Sequence, residues 1–117
     1  MATLRILIIE DEPIIAMLFE ELLTELGHDV VGIADTEANA VVAALKDKPD
    51  LMFADAHLGK GSGIAAVEVI LRTRFIPHIF TSGDVSSVRA QRPDAVVISK
   101  PFRESDLVKA IDTATKS

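Results

Sequence analysis

Four polar positions that could do chemistry each come directly after a short apolar run of the chain. They are Glu10-Asp11, Asp55, Ser82-Gly83 and Lys100. Close carboxylates repel one another, and a lysine can balance only one of their charges. A hard divalent cation would balance the others, because carboxylate and carbonyl oxygens are the ligands that Mg²⁺ prefers. These residue types therefore predict a Mg²⁺ site with a lysine beside it, if the fold brings them together.

Asp55 ends its apolar run alone, in the stretch LMFADAHLGKGSG. A carboxylate beside Mg²⁺ can attack phosphorus and form an acyl phosphate, and the metal ion and Lys100 would then hold the phosphoryl oxygens. The Ser82 hydroxyl could donate a hydrogen bond to one of those oxygens. Each residue alone has a plainer interpretation, since Asp55 could cap a helix, Ser82-Gly83 could form a turn and the acids could be a solvated rim. Their shared position after apolar runs favours the phosphoryl chemistry.

The apolar runs are rich in β-branched residues and are almost continuous rather than alternating. They cover residues 6–9, 30–34, 51–54, 76–81 and 95–99. This pattern is typical of strands that are covered on both faces, as in a parallel sheet. The intervals between the runs carry apolar residues at helical spacing, for example Ile15, Leu18, Leu22 and Leu26 in the first.

The alternation of strands and helices predicts the fold class. Five βα units in series give an α/β fold, a doubly wound five-stranded parallel sheet with flanking helices. Thr36 is a predicted N-cap of the second helix, and the weak fourth helix must fit within residues 85–91. Ligands of such folds bind at the carboxyl ends of the strands, which is where the four polar positions fall.

Length and composition exclude several classes of protein. The chain has 117 residues, which suits one domain, and no cysteine, so it can form neither a disulfide nor a thiolate metal site. Its formal net charge of −6, without a basic block, argues against direct binding of nucleic acid. No run approaches the roughly 20 apolar residues of a membrane span, and the N-terminus lacks the layout of a signal peptide. These features predict a cytoplasmic protein with no membrane partner.

Together, the four positions resemble the receiver domains of two-component response regulators, and the resemblance covers nearly the whole chain. Glu10-Asp11, Asp55, Ser82-Gly83 and the stretch Lys100-Pro101-Phe102 carry it. It implies that residues 1–117 form a receiver domain of the flavodoxin-like fold. It also implies a stand-alone phosphoacceptor similar to chemotaxis regulators.

The resemblance implies a role for each site residue. Asp55 would be the phosphoacceptor, and Mg²⁺ would be bound by Asp11, Asp55 and the backbone carbonyl of His57, with Glu10 acting mainly through a metal-bound water. The phosphoryl group would be bound by Ser82, Gly83 and Lys100, which would also form the switch. The Lys100-Pro101 peptide bond would be cis.

Two further residues are predicted to set the lifetime of the phosphoryl group. His57 and Asp84 each lie two residues past a site residue, so their side chains could flank the path of the attacking water.

The sequence departs from the family pattern near its last strand. Val97 stands where many receivers carry an aromatic residue, and only 16 residues separate Gly83 from Lys100. The stretch IFTSGD also resembles the Phe-x-Thr-Gly stretch of a receiver subgroup of alphaproteobacteria. The departures predict that switching moves the segment from Ser82 to Gln91 and uses no aromatic side chain.

The resemblance implies a phosphoaspartate signalling switch rather than an enzyme. A histidine kinase or a histidine phosphotransfer protein would supply the phosphoryl group, and an unknown output protein would bind the switched surface. An alternative is a receiver fragment of a longer response regulator or hybrid kinase. Three other functions are considered. A dehalogenase-type phosphatase needs Asp-x-Asp after the first strand, and a flavodoxin-like cofactor carrier would bind its phosphate poorly beside the acids. The third is a receiver-like interaction module that accepts no phosphoryl group.

Overall fold

A five-stranded parallel sheet forms the centre of the computed structural model, which describes residues 3–116. The strands are β1 (Arg5–Ile9), β2 (Asp29–Ala34), β3 (Leu51–Asp55), β4 (His57–Leu58), β5 (Gly61–Ser62), β6 (His78–Ser82) and β7 (Val96–Ser99). The helices are α1 (Pro13–Glu25), α2 (Glu37–Asp47), α3 (Gly63–Leu71), α4 (Val85–Gln91) and α5 (Glu104–Thr115). The sheet order is β2-β1-β3-β6-β7, and β4 and β5 form a separate antiparallel hairpin. The predicted doubly wound fold is confirmed.

Helices cover both faces of the sheet and bury two apolar clusters. On one face, α1 and α5 pack through Phe19, Leu23 and Leu107 against alternate residues of the strands. On the other, α2, α3 and α4 pack through residues such as Ala44 and Val67. Because successive strand residues point to opposite faces, each central strand contributes to both clusters. This explains why the central strands read as continuous apolar runs.

The two edge strands are less buried than the sequence predicts. All residues of β3 and β6 are buried, whereas β2 has two exposed, three partly buried and only one buried residue, and Ile33 is 46% exposed. An edge strand has a neighbour on one side only, so helices cover it incompletely. The prediction that every strand is covered on both faces is therefore wrong for β2 and for β7.

The helix bounds follow from local signals in the sequence. Pro13 occupies the first turn of α1, and Gly27, with φ of +93°, follows its end, a conformation that glycine adopts without strain. The Thr36 hydroxyl accepts a hydrogen bond from the backbone N–H of Asn39, which confirms the predicted cap of α2. No helix among residues 3–116 is both long and apolar enough to cross a membrane.

Candidate functional site

Three carboxylates meet at the carboxyl edge of the sheet. Glu10 and Asp11 directly follow β1, and Asp55 is the last residue of β3, its hydrogen-bonded neighbour. One oxygen from each of the three lies within 4.8 Å of the others. Parallel strands that pair in register end at the same edge, so the convergence predicted from the sequence is what the fold produces.

Lys100 reaches this cluster from the end of β7. Its Nζ lies 2.7 Å from Asp55 Oδ2 and 3.8 Å from Glu10 Oε1. Burial lowers the pKa of Lys100, but the hydrogen bond and charge of Asp55 and the charge of Glu10 outweigh that effect and raise it. The backbone N–H of Lys100 donates to the Ser82 carbonyl at 3.0 Å, which fixes the start of the side chain beside β6. The lysine is therefore charged and aimed at the carboxylates.

Glu10 is the most buried of the three acids, with 2% of its surface exposed. Its pKa is raised to about 7, chiefly by burial; the Asp55 charge adds to this rise, and the hydrogen bond from the backbone N–H of Glu12 opposes it. Its Oε1 atom is buried and has no hydrogen-bond partner within residues 3–116. A buried carboxylate oxygen without a hydrogen bond, beside two other acids, fits the donor set of a hard divalent cation.

The segment after Asp55 folds back over the site as the β4–β5 hairpin. The His57 backbone N–H donates to Asp55 Oδ1 at 3.0 Å, so both oxygens of Asp55 have partners. Gly63 passes against the Asp55 carbonyl so closely that no Cβ could fit there. Glu37 Oε2 on α2 accepts from the backbone N–H of Ser62 at 3.0 Å and ties the hairpin to α2. The sequence indicated a glycine-rich loop here, but it gave no signal for the contact with Glu37.

Ser82 lies at the same edge without bonding to Asp55. Thr81 pairs with Asp55 in the β3–β6 register, and Ser82 follows it with 1% of its surface exposed. The Ser82 hydroxyl accepts from the backbone N–H of Asp84 at 2.9 Å, which leaves its own O–H free to donate. Gly83 is exposed, and a Cβ added there would meet no atom within 4 Å. A larger residue at position 83 would therefore not clash with Ser82 or with any other residue nearby.

The two residues predicted to set the phosphoryl lifetime, His57 and Asp84, are both exposed. Asp84 also caps α4, since its carboxylate accepts from the backbone N–H of Ser87 at 3.1 Å. A substitution of Asp84 therefore acts on the helix as well as on the site. The Lys100-Pro101 peptide bond, placed between the lysine and α5, is cis.

Comparison with known proteins identifies the class of protein that this fold and site define. The family model described as the response regulator receiver domain matches residues 6–112. The chain belongs to this family, in agreement with the resemblance carried by its strand-end residues.

Several relatives of this chain are regulators named PhyR. The phyllosphere-induced regulator PhyR of Methylorubrum extorquens is 43% identical over 118 residues, which cover 97% of this chain and 44% of PhyR. The crystal structure of PhyR from Brucella abortus matches with a TM-score of 0.89 and 38% identity, over 97% of this chain and 48% of that one. The receiver domain of Erythrobacter litoralis PhyR matches with a TM-score of 0.86 and 41% identity, over 97% of this chain and 90% of that one.

These similarities support the alphaproteobacterial subgroup predicted from the stretch IFTSGD. The chain spans about half the length of the Methylorubrum and Brucella proteins.

Proposed function

We propose that this protein is a phosphoaspartate switch that accepts a phosphoryl group on Asp55 from a histidine kinase or a histidine phosphotransfer protein. The observation that carries the proposal is the cluster of Glu10, Asp11 and Asp55 with Lys100 Nζ at 2.7 Å from Asp55. A merely acidic surface would not hold a charged lysine against its most central carboxylate.

The proposed reaction is a direct transfer between phosphohistidine and aspartate. An Asp55 carboxylate oxygen attacks the phosphorus, the new O–P bond forms, and the P–N bond breaks so that the imidazole leaves with its electron pair. Mg²⁺, held by Asp11, Asp55 and the His57 carbonyl directly and by Glu10 through water, would offset the negative charge of the phosphoryl oxygens. Lys100 would move from Asp55 to a phosphoryl oxygen, and the Ser82 O–H would donate to another.

An apolar groove beside the site supports docking of a protein as the phosphoryl donor. Its lining comes from α1 and from the segment Lys100 to Phe102, and its volume is about 380 Å³. Leu18 is 53% exposed and Ile14 is 69% exposed on the same helix. Exposed apolar surface of this kind is typical of an interaction site. The groove adjoins Lys100, so a partner seated on it could present a phosphohistidine to Asp55.

The output is proposed to be binding of a partner protein to the face made by α4, β7 and α5. The PhyR of Methylorubrum is about twice as long as this chain, so the activity of the whole PhyR protein is no part of this proposal.

The proposal is tested by phosphorylation from a small donor. With acetyl phosphate and Mg²⁺, intact-mass spectrometry should show one added phosphoryl group, which chelation of Mg²⁺ abolishes. Asp55→Asn should not label, whereas Asp112→Asn, an exposed acid on α5, should label as the wild type does. Labelling of Asp55→Asn at the wild-type level would refute the assignment of Asp55. A wild-type protein that never labels would instead be an interaction module.

A further inference from the structure

Helix α4 lies along one face of β6 and matches it in length. His78, Phe80 and Ser82 are alternate residues of the strand, so their side chains share a face. From His78 to Ser82 the strand rises about 13 Å, and from Asp84 to Arg92 the helical chain rises about 12 Å. The match allows one strand to hold both ends of the helix.

The N-terminal end of α4 is held at the candidate site. The backbone N–H of Asp84 donates to Ser82 Oγ at 2.9 Å, and the Asp84 carboxylate caps the first turn. Any change in the partner of the Ser82 hydroxyl therefore acts directly on this end of the helix.

The C-terminal end of α4 is held at the opposite edge of the sheet by Arg92 and His78. Arg92 Nη2 lies 3.0 Å from His78 Nε2, and the guanidinium carbon lies 5.7 Å from the centroid of the Phe80 ring. His78 Nδ1 lies 2.8 Å from the Ile76 carbonyl, so Nδ1 carries the proton and Nε2 is left to accept from Arg92. His78 is only 8% exposed, which shields this bond from water.

Apolar packing between these two ends is slight. Val88 is the one buried residue of α4. Arg92 Nη1 is buried and has no hydrogen-bond partner within residues 3–116, which costs free energy. An apolar side chain at position 92 would avoid that cost, so stability alone does not account for an arginine there.

We propose that Arg92 and His78 form a latch that keeps the C-terminal end of α4 on β6 while phosphorylation of Asp55 moves its N-terminal end. The inference rests on the proposed function for the direction of the signal. The two residues are positioning residues, because they act through the helix and touch no reacting atom. The latch makes α4 pivot about Arg92, and the change in its surface is then largest beside Ser82.

The first test measures amide hydrogen exchange of α4 in the protein without any ligand. Arg92→Met removes the guanidinium and keeps most of the side-chain length. The backbone amide of residue 92, which donates to the Val88 carbonyl at 2.8 Å in the wild type, should exchange about tenfold faster in this variant, relative to its intrinsic rate. Arg89→Met on the same helix is the matched control and should change the rate by less than about twofold. Equal rates in the two variants would refute the latch.

The second test follows the proposed switch itself by NMR with beryllofluoride and Mg²⁺. In the wild type, shift changes should be largest at Ser82, decline toward Gln91 and leave the His78 ring nitrogens unchanged. In Arg92→Met they should extend to Ala95 and the His78 ring. A merely structural role of Arg92 would leave the extent of the response unaltered.

Two outcomes distinguish a failure of the latch from a failure of the proposed function. His78 ring signals that shift as strongly as Ser82 in the wild type would show that the latch opens, and would overturn the pivot. A wild type that binds no beryllofluoride would contradict the proposed function, while the exchange rates measured without ligand would still decide whether Arg92 holds α4.

Discussion

At the scale of single residues, the Lys100 ammonium group pairs with two carboxylates of the cluster, and it is proposed to bind a phosphoryl oxygen once Asp55 is phosphorylated. Its bond to Asp55 Oδ2 is short, at 2.7 Å, but 28% of the lysine side chain is exposed, so solvent weakens the pair. Removing this positive charge leaves three acids that attract a cation more strongly. It also removes the proposed partner of a phosphoryl oxygen. The two effects have opposite signs and can be measured separately.

We therefore expect Lys100→Met to bind Mg²⁺ more tightly and beryllofluoride more weakly than the wild type. The gain in Mg²⁺ affinity should be a factor of about two to five, which is the range for a partly exposed ion pair. Titration calorimetry measures both constants. Lys46→Met, an exposed lysine of α2, serves as the control and should change neither. Weaker Mg²⁺ binding in Lys100→Met would contradict the electrostatic role given to the lysine.

The exposed side chains of His57 and Asp84 are expected to change the lifetime of the phosphoryl group more than its formation. Each flanks the site from the solvent side, where a water molecule would approach phosphorus. His57→Ala and Asp84→Asn should alter the hydrolysis rate by a few fold while labelling survives. Asparagine is chosen at position 84 because it still caps α4. Unchanged hydrolysis rates in both variants would count against the prediction.

The residues of the site could be predicted because their positions follow from the topology. Glu10, Asp11, Asp55 and Lys100 each follow a recognisable strand, and parallel strands end at one edge. The hydrogen bonds could not be predicted in this way. For example, the Asp84 carboxylate caps α4 while the Asp84 N–H donates to Ser82. Both bonds depend on the path of one loop, whose sequence shows only short polar residues.

At the scale of elements, two buried histidines tie strand ends to their neighbours in the neutral form. His28 Nδ1 accepts from the backbone N–H of Leu4 at 3.1 Å, and His78 accepts from Arg92. Burial is the main cause that lowers the pKa of each. As the pH falls below the ordinary histidine pKa, the unfolded chain therefore binds more protons than the folded chain. Both residues therefore contribute stability that is complete above about pH 6.5 and is lost as the pH falls toward their lowered pKa values.

We expect His28→Gln to make the fall of unfolding free energy below about pH 6.5 shallower. The raised pKa of Glu10 acts in the opposite sense over part of this range, so the test compares slopes between variants. Denaturant unfolding from about pH 5 to pH 8 provides them. The same slope in His28→Gln and the wild type would refute the linkage.

The switching element is expected to be α4 and the loop before it, without an aromatic rotamer change in β7. Val97 is half-buried and packs against the cluster that includes Phe80 and Val88. A valine side chain is restricted at χ1 and is shorter than an aromatic ring, so it cannot swing into space that Ser82 vacates. Val97→Ala should therefore retain the beryllofluoride response of residues 82–91, as measured by NMR. Loss of that response in Val97→Ala, with α4 still folded, would show that β7 takes part.

The elements show where sequence patterns mislead. The residues Ile15, Leu18, Leu22 and Leu26 have helical spacing, yet the fully buried residues of α1 are Ala16, Phe19 and Leu23. Ile15, Leu22 and Leu26 are only partly buried beside them, and Leu18 is 53% exposed. The helix is apolar on more than one face, so spacing alone cannot choose between them. The β4–β5 hairpin was missed for another reason, because two-residue strands are too short to form a pattern.

At the scale of the whole molecule, the acidic cluster works against the stability of the sheet that carries it. Two apolar clusters, one on each face, hold β1 and β3 in register and thereby force Glu10, Asp11 and Asp55 together. Within residues 3–116, Lys100 is the one charged side chain that forms ion pairs with the cluster, with Glu10 and with Asp55. A ligand that binds the folded state alone shifts the unfolding equilibrium by mass action. A cation in the cluster should consequently stabilise the entire domain, because the unfolded chain does not hold Asp55 beside Glu10 and Asp11.

Mg²⁺ at ten times its dissociation constant should raise the free energy of unfolding by about 1.4 kcal/mol. Asp11→Asn removes a proposed ligand and should abolish most of this gain, whereas Asp35→Asn, an exposed acid after β2, should retain it. Without Mg²⁺, Asp11→Asn should be at least as stable as the wild type, since it relieves repulsion in the cluster. Urea unfolding at several Mg²⁺ concentrations, at constant ionic strength, measures all three proteins. Equal stabilisation of all three would assign the effect to general screening of the −6 net charge and not to a site at the sheet edge.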